Sequence, residues 1–169
     1  MTRGIRNNNP LNIRLTPLND WMGKVMHNTD GAFEQFTSMT WGFRAAMILL
    51  DRYIQKGANT IRKIVSKWAP ATDGNHTEKY IEDVCRLTQL GGNEPIIRGS
   101  EQHKSIVWSM GLIESGLSIA DYKRQFEKAW DWYREEKFQK LPPHLSRKRI
   151  QPEDPTLTLA KERQPALFL

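Results

Sequence analysis

Glu114 is the side chain that its sequence neighbours best suit to chemistry. It lies four residues after Met110 and seven after Val107, so in a helix it stands at the edge of the apolar face, within the last turn before Gly116. A carboxyl group there is partly desolvated, and burial favours the protonated form that a general acid needs. The alternative is a structural glutamate that extends to water or caps a neighbouring helix.

A second group of polar side chains lies near the start of the sequence, in the run Asn7-Asn8-Asn9-Pro10-Leu11-Asn12. Asparagine bonds to its own backbone and tolerates left-handed conformations, and a residue before proline is pushed out of the helical region. The run therefore predicts a specified loop whose amides orient polar, uncharged ligands such as sugars. The substrate-binding candidates here are Asn7, Asn8, Asn9 and Asn12. A plain N-terminal coil with Asx turns is the alternative.

Four further residues are candidates for ligand binding. Trp21 lies in an irregular segment, where its ring could stack on a sugar, although packing is the commoner role. Arg44 stands near the start of an otherwise apolar helix and must be paired if it is buried. It would hold a carboxylate or the asparagine loop, contact an anionic substituent, or extend to water. Asp73 and Asn75 belong to a loop that could edge a cleft.

Other titratable side chains are weaker candidates. Glu34 lies between Phe33 and Phe36, and strand alternation would place it opposite Phe33, facing solvent. The four histidines form no i, i+4 pair and have no cysteine partner, so we expect no metal site. The sequence has no glycine-rich phosphate loop and no serine-elbow motif, and we expect no cofactor.

Five helices must position these residues, judged by apolar spacing and by capping residues. They are predicted at 38–57, 60–68, 77–90, 100–116 and 118–140. The first is apolar nearly all round, so we expect it to be the central helix. Residues 1–37 have no helical period and predict loops with a small β-hairpin. Residues 141–169 carry five prolines, many charges and no period, which predicts a flexible tail.

Length and composition indicate one mainly α domain over residues 1–140, followed by the tail at 141–169. The net charge of +6 suits a polyanion, either nucleic acid, an acidic membrane face or an anionic wall polymer. Nucleic acid ranks lowest because the basic run 146–149 lies in the tail. Neither an apolar signal region nor a run of membrane-spanning length is present. We therefore expect a monomer that is made in the cytoplasm without a signal peptide.

Several separated motifs follow one another over residues 3–116. They are Arg3-Gly4-Ile5-Arg6-Asn7-Asn8-Asn9-Pro10-x-Asn12-Ile13, Trp21-x-Gly23, Phe33-x-x-Phe36, Gly42-x-Arg44-Ala45 and Thr60-Ile61 with Trp68-Ala69-Pro70. In this order they resemble a family of bacteriophage and prophage virion structural proteins that look lysozyme-like.

Two blocks are also similar to peptidoglycan glucosaminidases and lytic transglycosylases. One is a helix ending in Glu114-Ser115-Gly116, in which the matching glutamate is the catalytic acid. The other is the Asn-Asn-x-x-x-Ile loop at 8–13, followed by Trp-x-Gly, an aromatic strand and a helix. The asparagine block comes first here. We therefore hypothesise a lysozyme-like α+β domain of circularly permuted order, with a small irregular or β N-terminal lobe.

The resemblance implies a peptidoglycan-cleaving glycosidase of phage origin with Glu114 as its single general acid and base. Its partners would be glycan strands and other virion proteins. Another system would place it in the virion or release it to the periplasm or cell wall. The alternative is a non-catalytic virion or wall-binding protein with a degenerate cleft, because fold does not imply function. The catalytic hypothesis requires Glu114 and the asparagine loop to meet in space.

Overall fold

The computed structural model of the protein describes residues 1–139, which form a mainly helical domain. Its helices are α1 (Arg3–Arg6), α2 (Met39–Gln55), α3 (Ile61–Trp68), α4 (Thr77–Thr88), α5 (Glu101–Ser115) and α6 (Ile119–Phe138). A 3-10 turn, Ala71–Asp73, lies between α3 and α4. The mainly α fold class is confirmed for these residues. The tail predicted at 141–169 lies outside them.

Helix α2 is the central element, as its apolar pattern predicts. It is buried on most of its circumference because α6, α5 and α3 all pack against it. The fully buried ring of Phe43 lies 5.1 Å from the ring of Phe126 in α6 and 5.9 Å from that of Trp108 in α5, centroid to centroid. Burial of such a ring contributes about 1.5–3 kcal/mol. This aromatic cluster therefore fixes how the three longest helices meet.

Local capping sets where the helices that carry the site begin and end. The Thr60 side chain accepts a hydrogen bond from the backbone N–H of Lys63 and begins α3, and the Ser100 side chain does the same for His103 and begins α5. Helix α5 ends at Gly116, whose φ of 61° lies in the left-handed region that glycine favours. Glu114 therefore lies in the last turn of α5, as its sequence position predicts.

The N-terminal lobe, residues 7–38, holds isolated antiparallel bridges in place of the predicted β-hairpin. Arg14 pairs with Phe33, and Lys24 pairs with Phe36. Backbone hydrogen bonds from Glu34 to Ile13 and from Leu15 to Ala32 flank the first bridge, and the buried Asn9 amide adds bonds to the backbone of both facing segments. The short helix α1 was not predicted, because four residues are too few to show an apolar period.

Two glycines allow the N-terminal segment to pack directly on the helices. A Cβ atom at Gly4 would overlap the Ser115 hydroxyl of α5, and one at Gly42 of α2 would overlap the backbone oxygen of Asn8. In the same contact the Ser115 hydroxyl donates a hydrogen bond to the backbone oxygen of Pro10 at 2.7 Å. The asparagine loop is thereby held against both α2 and α5.

A buried polar cluster connects α2, α5 and α6. The Asp51 carboxylate accepts hydrogen bonds from Arg98 at 2.8 and 3.1 Å and from the Tyr133 hydroxyl at 2.7 Å. The Nδ1 atom of His103 accepts a hydrogen bond from the backbone N–H of Gly99 at 3.1 Å. Burial lowers the pKa of His103 to about 4. The imidazole is therefore neutral at physiological pH.

The close contact at Gly42 predicts a sharp cost for adding one methyl group. We expect Gly42→Ala to lower the free energy of unfolding by about 1–3 kcal/mol, because the new Cβ must displace the backbone at Asn8. Urea denaturation measures the effect. The matched control is Gly91→Ala, where the nearest atom to an added Cβ is 3.7 Å away. Equal stability of the two variants would contradict the proposed packing.

The neutral state of His103 predicts a loss of stability in mild acid. Below about pH 6.5 the unfolded chain binds a proton that folded His103 binds only near pH 4, so acid favours unfolding. We expect this residue to account for about 2 kcal/mol of lost stability between about pH 6.5 and pH 5. His103→Leu should flatten the pH dependence of urea unfolding, whereas exposed His76→Gln should not. NMR titration of the wild-type imidazole provides a second check, and a midpoint near 6.5 would refute the assignment.

Candidate functional site

Glu114 and the asparagine loop meet in space, although 102 residues separate Glu114 from Asn12 in the sequence. The amide nitrogen of Asn12 donates a hydrogen bond to Oε2 of Glu114 at 3.1 Å. Asn8 and Asn12 both have a φ of 50°, the left-handed conformation that asparagine tolerates best among residues with a side chain. The convergence that the catalytic hypothesis requires is therefore present.

Two aromatic side chains hold the other oxygen of the Glu114 carboxyl group. Oε1 accepts hydrogen bonds from the indole N–H of Trp68 at 3.2 Å and from the hydroxyl of Tyr80 at 2.9 Å. Burial and the charge of Glu114 raise the pKa of Tyr80 well above 10, so the hydroxyl remains a donor at neutral pH. Three neutral donors, one each from α3, α4 and the lobe, thus fix the position of the carboxyl group.

Sequence reasoning did not assign Trp68 and Tyr80 to the site. Trp68 appeared only as part of the Trp-Ala-Pro motif, and Tyr80 lies in a helix whose face toward α5 is set by tertiary packing. An aromatic ring with a polar tip at the edge of an apolar helix face is the one local signal that both share. That signal does not identify their hydrogen-bond partner, Glu114, which belongs to a third helix, α5.

Glu114 lines a cleft of about 510 Å³ between the lobe and the helices. This volume lies within the range of small-molecule sites, about 300–1,000 Å³. The residues around it are Asn12, Ile13, Arg14, Asn19, Phe33, Leu49, Tyr53, Lys67, Trp68, Ala69, Pro70, Asp73 and Asn75. A half-buried carboxyl group among amides and aromatic rings is an arrangement suited to acid–base chemistry on a polar, ring-shaped substrate.

Three of the predicted binding residues line this cleft together with Glu114. Asn12 binds the carboxyl group itself, and Asp73 and Asn75 lie in the loop that follows α3. The Asn75 amide nitrogen donates a hydrogen bond to the backbone oxygen of Pro70 at 3.0 Å. The prediction that this loop edges a cleft agrees with these positions.

The consecutive asparagines at 7–9 have their amides bound to other parts of the lobe. Asn9 is fully buried, and its amide bonds only backbone atoms of Ile13 and Glu34. Asn7 is buried and donates to the Asp30 carboxylate at 2.8 Å, and Asn8 donates to the backbone oxygen of Phe36 at 3.0 Å. These three residues shape the lobe and do not line the cleft, in contrast to the substrate contact that their composition suggested.

Trp21 and Arg44 also lie outside the cleft lining. Trp21 is 5% exposed, and the guanidinium of Arg52 lies 4.9 Å from its ring centroid, so its role is packing. Arg44 is buried and forms an ion pair with Glu136 of α6. Burial lowers the pKa of Arg44 to about 10, which leaves it cationic. Arg44 thus holds a carboxylate, which is one of the roles that the sequence suggested for it.

Glu34 is fully buried, so the prediction that it faces solvent is wrong. Its Oε2 atom lies 3.5 Å from Nζ of Lys24, and its backbone pairs with Ile13 and Asn9. The alternation argument failed because the lobe has no regular strand over this segment. Phe33, and not Glu34, lines the cleft.

Neither a metal centre nor a membrane-spanning helix is found within residues 1–139. No group of three His, Cys, Asp or Glu side chains there is arranged to hold a metal ion. None of the helices in this part of the chain is both long enough and apolar enough to cross a bilayer.

The contact between Tyr80 and Glu114 predicts an energetic coupling that can be measured. We expect a double-mutant cycle of Tyr80→Phe with Glu114→Ala to give a coupling of about 1–2 kcal/mol, because the hydroxyl donates directly to the Glu114 carboxyl group. Urea unfolding of the four proteins supplies the values. Tyr122→Phe serves as the control and should be additive with Glu114→Ala. An additive result for Tyr80 would exclude this hydrogen bond.

Comparison with known proteins provides a relative from a phage. No protein-family model matches the chain. Protein P5 of Pseudoalteromonas phage PM2 is 32% identical to it over 133 residues, which are 77% of this chain and 81% of that protein. The similarity extends over most of both proteins, and the phage relationship predicted from the motifs is confirmed. The chain therefore belongs to the family of Protein P5 of Pseudoalteromonas phage PM2.

Proposed function

We propose that the protein is a peptidoglycan-cleaving glycosidase of the lytic transglycosylase or glucosaminidase type, with Glu114 as its general acid and base. One observation carries the proposal: Glu114 reaches the cleft from the last turn of α5 and is held there by Asn12 of the asparagine loop. A relative from a phage fits an activity directed at bacterial walls.

The chemistry needs one group that first donates and then accepts a proton. With a glycan strand in the cleft, Glu114 protonates the bridging oxygen, and the bond from that oxygen to C1 breaks through an oxocarbenium-like state. In a transglycosylase, a hydroxyl of the same sugar attacks C1 and transfers its proton to the Glu114 carboxylate. The cycle closes with Glu114 protonated again, and no second carboxylate is needed.

The neighbours of Glu114 act as positioning and binding groups in this mechanism. Asn12, Trp68 and Tyr80 fix the carboxyl group, which keeps its oxygen at one place beside the scissile bond. The rings of Phe33 and Tyr53 line the same cleft and add apolar surface to its lining. The site thus combines a proton donor with a surface suited to a glycan.

A hydrolase with two carboxylates is the variant of this proposal that involves Asp73. Glycosidases of that kind place two acids on either side of the scissile bond. Asp73 is the other carboxylate among the residues that line the cleft. It lies in the exposed 3-10 turn after α3, so it could approach the substrate from the side of that loop.

The proposal extends to the fold and to the setting in which the protein works. An acid-bearing helix end that faces an asparagine loop supports a lysozyme-like domain of circularly permuted order. The substrate would be glycan strands, reached from the virion or after release to the periplasm or wall by another system. Other virion proteins are further proposed partners.

A non-catalytic wall-binding or virion structural protein is the competing proposal. The observation in its favour is that several predicted binding residues serve the fold: Asn7, Asn9, Trp21 and Arg44 are all buried. A cleft that had lost its catalytic activity but kept its shape would show the same arrangement of residues. This proposal predicts binding to peptidoglycan without the release of any product.

Replacement of Glu114 separates the two proposals. We expect Glu114→Gln to keep the fold and to lower the rate of turbidity loss of purified cell walls by about 10²–10⁴, because the amide cannot donate the proton. The matched control is Glu101→Gln at the other end of α5, which should act like the wild type. Full activity of Glu114→Gln would disprove the assignment.

The products and the Asp73→Asn variant then identify the mechanism. Mass spectrometry of muropeptides shows anhydro ends for a transglycosylase and reducing ends for a hydrolase. Retained activity of Asp73→Asn with anhydro ends supports the one-acid mechanism, whereas its loss with reducing ends supports two carboxylates. No products from the wild type would favour the non-catalytic protein.

A further inference from the structure

Two cationic side chains line the cleft without an ion-pair partner among the described residues. Arg14 comes from the lobe, and Lys67 comes from α3. Several other cations in residues 1–139 are matched with carboxylates, as Arg98 is with Asp51 and Lys104 is with Glu127. Other exposed cations such as Lys56 also form no ion pair within the described residues, so what distinguishes Arg14 and Lys67 is their position in the cleft lining.

An aromatic ring accompanies each of these two cations. The guanidinium of Arg14 lies 5.6 Å from the ring centroid of Phe33, and Nζ of Lys67 lies 4.6 Å from that of Tyr53. Phe33 and Tyr53 also line the cleft. Cation–π contact restricts where the charge can go without neutralising it. The two walls of the cleft thus each present a positive charge that remains available to a ligand.

The acids of the cleft do not use these charges. Glu114 is held by three neutral donors, and neither it nor Asp73 forms an ion pair with Arg14 or Lys67 in the described residues. Two cations and two carboxylates line the cleft, so its formal charge is balanced and each cation acts through direct contact with a group on the ligand. Groups that carry negative charge on the substrate are the partners that would satisfy both cations.

We propose that Arg14 and Lys67 bind carboxylate groups carried by the glycan, so that the cleft selects acidic glycan strands over neutral amino-sugar polymers. In peptidoglycan these carboxylates belong to the stem peptides, and to the lactyl ether only where the peptide has been removed. The inference rests on the proposed function for its glycan substrate. The selectivity for charge, however, is a property of binding and does not depend on bond cleavage.

Nucleic acid is a poorer match for the same two charges. Its binding relies on neutralising many phosphates, about 6–10 in a typical complex, along a continuous basic surface. Here the two cations come from the lobe and from α3, and they line a cleft of about 510 Å³ together with Asp73 and Glu114. Such an arrangement suits a few separate carboxylates on a strand that enters the cleft.

The test measures binding in a Glu114→Gln background, so that no substrate is consumed. The probes are purified Gram-negative sacculi, the same sacculi with their carboxyl groups amidated, and insoluble chitin. Sedimentation gives the affinity of each protein for each polymer. The test variant carries Arg14→Gln and Lys67→Gln. Its matched control carries Arg124→Gln and Lys63→Gln, which remove the same charge from exposed positions outside the cleft lining.

We expect the test variant to bind sacculi about 10- to 25-fold more weakly, at about three- to fivefold for each removed charge. It should bind amidated sacculi and chitin as the background protein does, and the control should be unchanged on all three polymers. Equal losses in the two variants, or an equal loss on chitin, would overturn the inference. Displacement from sacculi by DNA at the same ionic strength would assign the cations to nucleic acid instead.

The outcomes also separate this inference from the proposed function. If the wild type releases no muropeptides and yet the test variant loses affinity for sacculi, catalysis fails and the carboxylate site stands. If the wild type cleaves walls and the test variant binds each polymer as well as the background protein does, only the proposed carboxylate site is refuted. Failure of the background protein to bind any sacculi would overturn both.

Discussion

The candidate site depends on the close approach of the N-terminal backbone to α2 and α5. Gly4 and Gly42 leave no room for a Cβ atom at these two contacts, and the Ser115 hydroxyl binds the loop at Pro10. Because the loop is held on both helices, Asn12 can reach the carboxyl group of Glu114. Without this contact the cleft would have a helical wall and no opposing wall.

Side-chain hydrogen bonds help a lobe without regular strands to form one wall of the cleft. In a sheet, backbone ladders would fix the spacing of the segments. Here the buried Asn9 amide bonds to two of them, and the Asp30 carboxylate binds Asn7 and Arg3. The Arg3 guanidinium holds the pKa of Asp30 well below its usual value, so the carboxylate remains charged in mild acid. These side-chain bonds act together with the backbone hydrogen bonds that flank the Arg14–Phe33 bridge and hold the segments that carry these two cleft residues.

Local features could be predicted from the sequence, and long-range partners could not. The helix limits at Thr60, Ser100 and Gly116 follow from capping chemistry that involves only near neighbours. The position of Glu114 at a helix edge follows from spacing in the same way. The partners of Arg44 and the donors Trp68 and Tyr80 depend on how helices pack, and no local pattern encodes that. The prediction that Glu34 faces solvent failed for a different reason. Alternation of side chains holds in a regular strand, and this segment does not form one.

The span of 102 residues between Asn12 and Glu114 has a consequence for how activity would arise during folding. Closing so long a loop is entropically expensive and tends to occur late, after local helices have formed. Compact intermediates with most of their helices would then lack the groove altogether. If the proposed function holds, catalytic competence would therefore report native topology more faithfully than helix content does.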